Sequence, residues 1–125
     1  ISYELLKNNF KDLQKSTNKY SLYDFYNDDT YIELKTRRNK KDQYKTSMLG
    51  NNKIKLFLKN NDKNTFLFFN YIDGLFYMPL TEENIKECYV KKGGRWDRGK
   101  DETCDIFFIP NHLLLPYPTL DSLDN

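Results

Sequence analysis

The sequence predicts an α/β (α+β) fold, a mixed and mostly antiparallel sheet flanked by helices, on three observations. Residues Thr30 to Arg37 alternate apolar and charged side chains with period two, the pattern of a half-buried strand. Thr65 to Tyr71 (TFLFFNY) is a near-continuous apolar run between turn residues, as expected of a buried central strand. Residues 1–15 and 42–60 instead space their apolar side chains at helical intervals.

In chain order, Ile1, Leu5, Leu6, Phe10 and Leu13 form one stripe, which predicts an amphipathic helix over 1–15, and Ser16-Thr17-Asn18 reads as a loop. Tyr20 to Asn27 and Thr30 to Arg37, joined through Asn27-Asp28-Asp29, predict a β-hairpin. Asp42 is a reasonable N-cap for a helical segment carrying Tyr44, Met48, Leu49, Ile54, Phe57 and Leu58, with a weak point or break near Gly50. Asp73-Gly74 turns the 65–71 strand back into Leu75 to Leu80. A helix start or turn at Thr81–Asn84, a short strand at Cys88–Lys91 and a strand at Asp105–Ile109 follow. Between the last two, Lys92 to Glu102 reads as a glycine-rich charged loop. After Leu115, Pro116 and Pro118 predict an extended or poorly packed tail.

The chain's 125 residues suffice for one core and argue against two independent domains. Nine Phe, ten Tyr and one Trp supply the apolar mass, and no run approaches the roughly 18 apolar residues of a membrane span. The absence of Ala and the excess of Lys, Asn, Ile, Tyr and Phe are what AT-rich coding produces, so the Asn content does not argue for disorder. Cys88 and Cys104 lack CxxC spacing and His112 is the single histidine, so a zinc site is not expected. Two reduced thiols and no visible signal peptide predict an intracellular protein that is neither secreted nor membrane-bound.

The net charge of +2 conceals a segregation: residues 1–34 carry −2, residues 35–63 carry +8 and residues 64–125 carry −4. The basic block begins on the charged strand and is either a footprint for a polyanion or a solvated lysine-rich face. Glu33, Lys35 and Arg37 share one face of that strand, and the hairpin can bring Asp24 near Glu33. Two converging carboxylates can hold Mg²⁺, which needs only one or two of them beside waters and phosphate oxygens. Lys35 can then orient a water or stabilise charge on a phosphate. Taken alone, Glu-x-Lys more often marks a solvated strand face.

The order helix, strand with Asp24, strand with Tyr31-Ile32-Glu33-Leu34-Lys35, then helix resembles the PD-(D/E)XK nuclease superfamily, whose core is helix, three-stranded meander, helix, strand. The string YIELKTRRNKKDQYKTSMLGNNKI is similar to nuclease-like proteins of large DNA viruses and phages, with Arg37, Tyr44, Thr46 and Lys53 at the matching positions. GGRWDRGKDE, ahead of a strand ending in Ile109-Pro110, looks like the C-terminal part of the same group. In one respect the pattern departs: Asp24 follows Tyr23 where the superfamily often has Pro.

The resemblance implies a restriction-endonuclease-like core in a single nuclease-like domain over 1–115, with a tail over 116–125. It also implies a Mg²⁺- or Mn²⁺-dependent endonuclease acting on nucleic acid, with DNA as the expected substrate, in the host cytoplasm or nucleus or in a virion, with Asp24 and Glu33 on the metal and Lys35 assisting the nucleophile. Arg37, Arg38, Lys40, Lys41, Lys45 and Lys53 would neutralise backbone phosphates, although Lys53 can equally cap its helix. Arg95 and Arg98, beside Trp96, would clamp nucleic acid or else pair with Asp97, Asp101 and Glu102. Some members add a glutamate from the first helix; Glu4 is the available residue, and a plain surface charge is its other reading. The alternative function is a non-catalytic nuclease-fold protein that binds nucleic acid or belongs to a viral particle or larger assembly, with a homodimer also open.

Overall fold

The computed structural model describes residues 2–17, 23–59, 62–94 and 103–117. Helix α1 (Ser2–Lys7) leads into strands β1 (Gln14–Lys15), β2 (Phe25–Tyr26) and β3 (Thr30–Thr36). Strand β4 (Thr46–Gly50) runs directly into helix α2 (Asn51–Lys59), followed by β5 (Asn64–Tyr71) and β6 (Gly74–Pro79). Helix α3 (Glu82–Lys86), β7 (Tyr89–Gly94), β8 (Thr103–Pro110) and β9 (Leu115–Pro116) complete the described elements.

Among the described residues two sheets form. One has the order β1-β2-β3-β5-β6-β9 and the other β4-β8-β7. All neighbouring strands are antiparallel except β3 and β5 at the centre of the larger sheet. A parallel pair needs a crossover, and the chain from β4 through α2 supplies it. The succession α1, β1-β2-β3 meander, α2, β5 is a restriction-endonuclease-like α+β core, with β4, β6 and the later strands added to it.

The large sheet is buried on both faces. One carries Phe25, Ile32, Phe68 and Leu75 against Leu6 of α1, Leu13 and Tyr117. The other carries Leu67, Phe69, Tyr71 and Met78 against Ile54 and Phe57 of α2, together with Leu49, Phe107 and Ile109 of the second sheet. Strand β5 supplies both faces, which is why its sequence reads as an unbroken apolar run. Gly74 closes the β5–β6 turn at φ +153°, where a Cβ would meet the Phe76 ring at 3.3 Å. Among the described residues no helix is long and apolar enough to cross a membrane.

Several elements differ from expectation. The first helix ends at Lys7, because the chain turns through Asp12 at φ +55° so that Leu13 is buried ahead of β1. Of the expected strand at 20–27 only Phe25–Tyr26 is strand, and residues 18–22 lie outside the described residues. The 42–60 segment is helical only after the expected break near Gly50, where α2 begins; before it lie a 3-10 turn at Lys41–Gln43 and then β4. Ser47 and Leu49 of β4 face inward while Met48 is exposed, so the true period there is two. That strand exists because β8, some sixty residues later, pairs with it from Thr46↔Pro110 to Gly50↔Ile106. Packing also continues past Leu115, since Leu115 and Pro116 pair with β6 and Tyr117 is buried.

Candidate active site

Strand β2 is short, and its last pairing toward the site is Phe25 with Ile32. Beyond it the Leu34 N–H of β3 has no strand opposite. The Asp24 side chain takes that place: its Oδ2 accepts the Leu34 N–H at 2.8 Å, while its own N–H donates to Ile32 O at 2.9 Å. This explains an aspartate where strands usually avoid one. The carboxylate extends the ladder and is held in place opposite Glu33. The adjacent Tyr23 stacks on Tyr31 with ring centroids 4.4 Å apart, which fixes the approach to β2.

Glu33 is a mid-strand residue of β3 with its side chain only 1 % exposed. Its register partner on β5 is Leu67, so the carboxylate lies on the face that packs against α2. The expected half-buried strand is therefore buried on both faces at this point, because α2 covers the side that sequence alternation leaves to solvent. Two ammonium groups reach in. Lys53 Nζ, from the first turns of α2, donates to Glu33 Oε1 at 2.9 Å, and Lys35 Nζ lies 3.2 Å from the same oxygen. Both lysines keep about a third of their side chains in solvent, 36 % and 33 %. Glu33 Oε2 is buried and has no hydrogen-bond partner.

An orphaned buried carboxylate oxygen is costly and has acceptor capacity to spare. Burial pushes the Glu33 carboxyl above its ordinary value of 4.5, the Asp24 charge pushes the same way, and Lys53 and Lys35 oppose both. The direction fixes a pH dependence. In the metal-free protein the stability due to Glu33 is fully present below 4.5 and is lost as pH rises through the higher folded-state value. Glu33→Gln is expected to flatten that part of the profile, read as melting temperature against pH in chelator.

Among the described residues no cluster of three or more His, Cys, Asp or Glu could hold a metal. Mg²⁺ does not require one. Its protein ligands are one or two carboxylates, and a hard all-oxygen pair with a vacant buried lone pair fits it. Glu4 is exposed on α1, whose Leu6 packs on the opposite sheet face from Glu33.

The expected phosphate contacts divide into two groups. Arg38, Lys40 and Lys45 are exposed on the loop that leaves β3. Arg37 is instead engaged within the fold: its Nη2 donates to Met48 O of β4 at 2.8 Å and its guanidinium lies 6.0 Å from the Phe69 ring. Lys41 is half-buried, over Phe76 at 5.1 Å and 3.6 Å from Asp42. Lys53 donates to Glu33 and keeps about a third of its side chain in solvent. Arg95 and Arg98 lie outside the described residues. The link between Lys53 and Glu33 was missed from sequence because it joins α2 to β3 across twenty residues, and only its basic character and its match to the resembled group marked it. Burial pushes the Cys88 thiol up to about 11, which disfavours the thiolate form.

No curated protein and no solved structure matches the chain. A family model described as "Phage putative PDDEXK endonuclease" matches residues 8–111, a span from just past α1 to the end of β8 that includes Asp24, Glu33 and Lys35. The chain belongs to this phage family of PD-(D/E)XK nuclease-like proteins.

Proposed function

We propose that the chain is a divalent-metal-dependent endonuclease that hydrolyses DNA phosphodiester bonds, with Asp24 and Glu33 as the metal ligands and Lys35 beside the reacting phosphate. The observation that carries this reading is the buried, unpartnered Glu33 Oε2 next to Asp24, with the Lys35 amine on the adjoining oxygen. When bound, Mg²⁺ supplies Lewis-acid activation of water and phosphate.

The chain's own groups do the rest. Asp24 is pinned by Leu34 N–H, and a carboxylate has acceptor capacity beyond that one bond. Lys53 holds Oε1 and orients the Glu33 carboxylate. Lys35, one-third exposed, spans from the buried carboxylate to solvent, where its charge can meet a phosphate and stabilise the negative charge that grows in hydrolysis. Arg38, Lys40 and Lys45 attract backbone phosphates without reading sequence.

One observation favours the non-catalytic alternative: two ammonium groups already engage Glu33, as they would in a purely structural ion cluster. Cleavage separates the two. Supercoiled plasmid should be nicked in Mg²⁺ or Mn²⁺ and left intact in EDTA. Lys35→Ala should slow nicking about 10²- to 10³-fold, the range for losing one charge-stabilising donor, while salt-dependent binding persists. Metal-independent binding with no nicking by the intact protein would favour the alternative.

A further inference from the structure

Tyr44 and Ile72 are the two most exposed large hydrophobic side chains among the described residues, at 61 % and 66 %. Neither sits on a loose tip. Asn111, itself buried, donates from Nδ2 to Lys41 O at 2.7 Å and Tyr44 O at 2.6 Å, and its N–H donates to Lys45 O at 3.1 Å. Asn111 Oδ1 in turn accepts from Ser47 Oγ, which also bonds the Tyr71 hydroxyl. The Ile72 N–H donates to Asn39 O at 3.1 Å, and Asp73 Oδ1 accepts the Lys41 N–H at 2.9 Å. Hydrogen bonds from buried Asn111 and across the Ile72 turn thus hold two loops whose apolar side chains face outward. Exposed apolar side chains on ordered backbone suit a docking surface.

The position of the two loops identifies the partner. Residues 37–45 leave the C-terminal end of β3 just after Lys35, and the Ile72 turn leaves the C-terminal end of β5, its parallel neighbour. Both loops therefore lie at the end of the sheet nearest Lys35. Arg38, Lys40 and Lys45 are exposed on the same loop as Tyr44, a charge arrangement suited to a polyanion. An isoleucine has no π-face on which a single strand could stack. An aromatic and an aliphatic side chain between phosphate-binding cations are instead the parts of a wedge that enters a base step and kinks a duplex.

We propose that Tyr44 and Ile72 insert at a base step of duplex DNA gripped by Arg38, Lys40 and Lys45, unstacking it so that a backbone phosphate is turned toward Lys35. The proposal takes its ligand, duplex DNA, from the endonuclease reading and does not require that the DNA be cut.

The test uses the full chain as Glu33→Gln, which binds without cutting, and duplexes carrying a single 2-aminopurine at successive positions. Fluorescence should rise on binding at one or more positions as stacking is lost. Tyr44→Ala with Ile72→Ala should abolish the rise and weaken binding about tenfold, the scale of one lost stacking contact. Tyr44→Phe should retain both, and an unchanged melting temperature of the double variant shows that it is folded. Duplex binding with no fluorescence rise, an alanine variant indistinguishable from its parent, or binding to single strands only would overturn the wedge. Plasmid nicking by the unaltered protein is scored separately. Fluorescence without nicking leaves the wedge standing and sinks the endonuclease reading, and nicking without fluorescence does the reverse.

Discussion

Glu33→Gln is expected to abolish Mg²⁺-dependent cleavage and, in the same preparation, to raise the melting temperature of the metal-free protein. The two effects have one cause. Glu33 holds a carboxyl group at 1 % exposure with one oxygen unpartnered, an arrangement that costs stability once the group is charged and that suits a cation. Glutamine keeps the shape and removes the charge. Deleting one member of a buried ion pair usually destabilises by stranding the other, but Lys53 and Lys35 are each about one-third exposed and can turn into water. The gain is then about 1–2 kcal/mol in metal-free buffer, seen as a rise of a few degrees in the melting temperature. Loss of a metal ligand should lower nicking by about 10³-fold or more, equivalent to roughly 4 kcal/mol of transition-state stabilisation. A variant that loses activity and stability together would indicate an ordinary structural ion pair.

Asp24 separates in the opposite sense. Its Oδ2 satisfies the Leu34 N–H where β2 has run out, so the residue has a structural duty besides the chemical one. Asp24→Ala leaves that donor unpaired and should cost about 1–3 kcal/mol. Asp24→Asn retains an acceptor and should melt within about 1 kcal/mol of the parent. Both should lose nicking at least about 100-fold, because neither retains the charge that a hard cation needs. Thermal melts of the two variants beside their nicking rates separate the roles. If Asp24→Asn cuts at the parental rate, Asp24 is a ladder residue only.

Much of this was visible in the sequence wherever local pattern and tertiary surroundings agree. The β2–β3 hairpin, the β5 run and the Asp73-Gly74 turn all followed from alternation, apolar continuity and turn chemistry. Strand β4 was hidden because its partner is β8, and Tyr44, Met48 and Leu49 happen to fall at helical spacing. Glu33 was placed on the charged face of a half-buried strand, either a solvated edge or the floor of an active site, since nothing local announces that α2 will cover it. Such a conflict between pattern and position is where a functional residue is expected. The basic block was visible as charge, but its division was not. Arg37 and Lys53 are engaged by Met48 O and Glu33, while the exposed Arg38, Lys40 and Lys45 share the loop of Tyr44.

The central claim is that Asp24 and Glu33 form a divalent-cation cradle, and Mn²⁺ binding followed by electron paramagnetic resonance tests it without requiring activity. Titration of the intact protein should remove a single equivalent of Mn²⁺ from the free-ion signal, with Mg²⁺ competing, and Glu33→Gln should remove none. Equal Mn²⁺ uptake by the parent and Glu33→Gln would contradict the account.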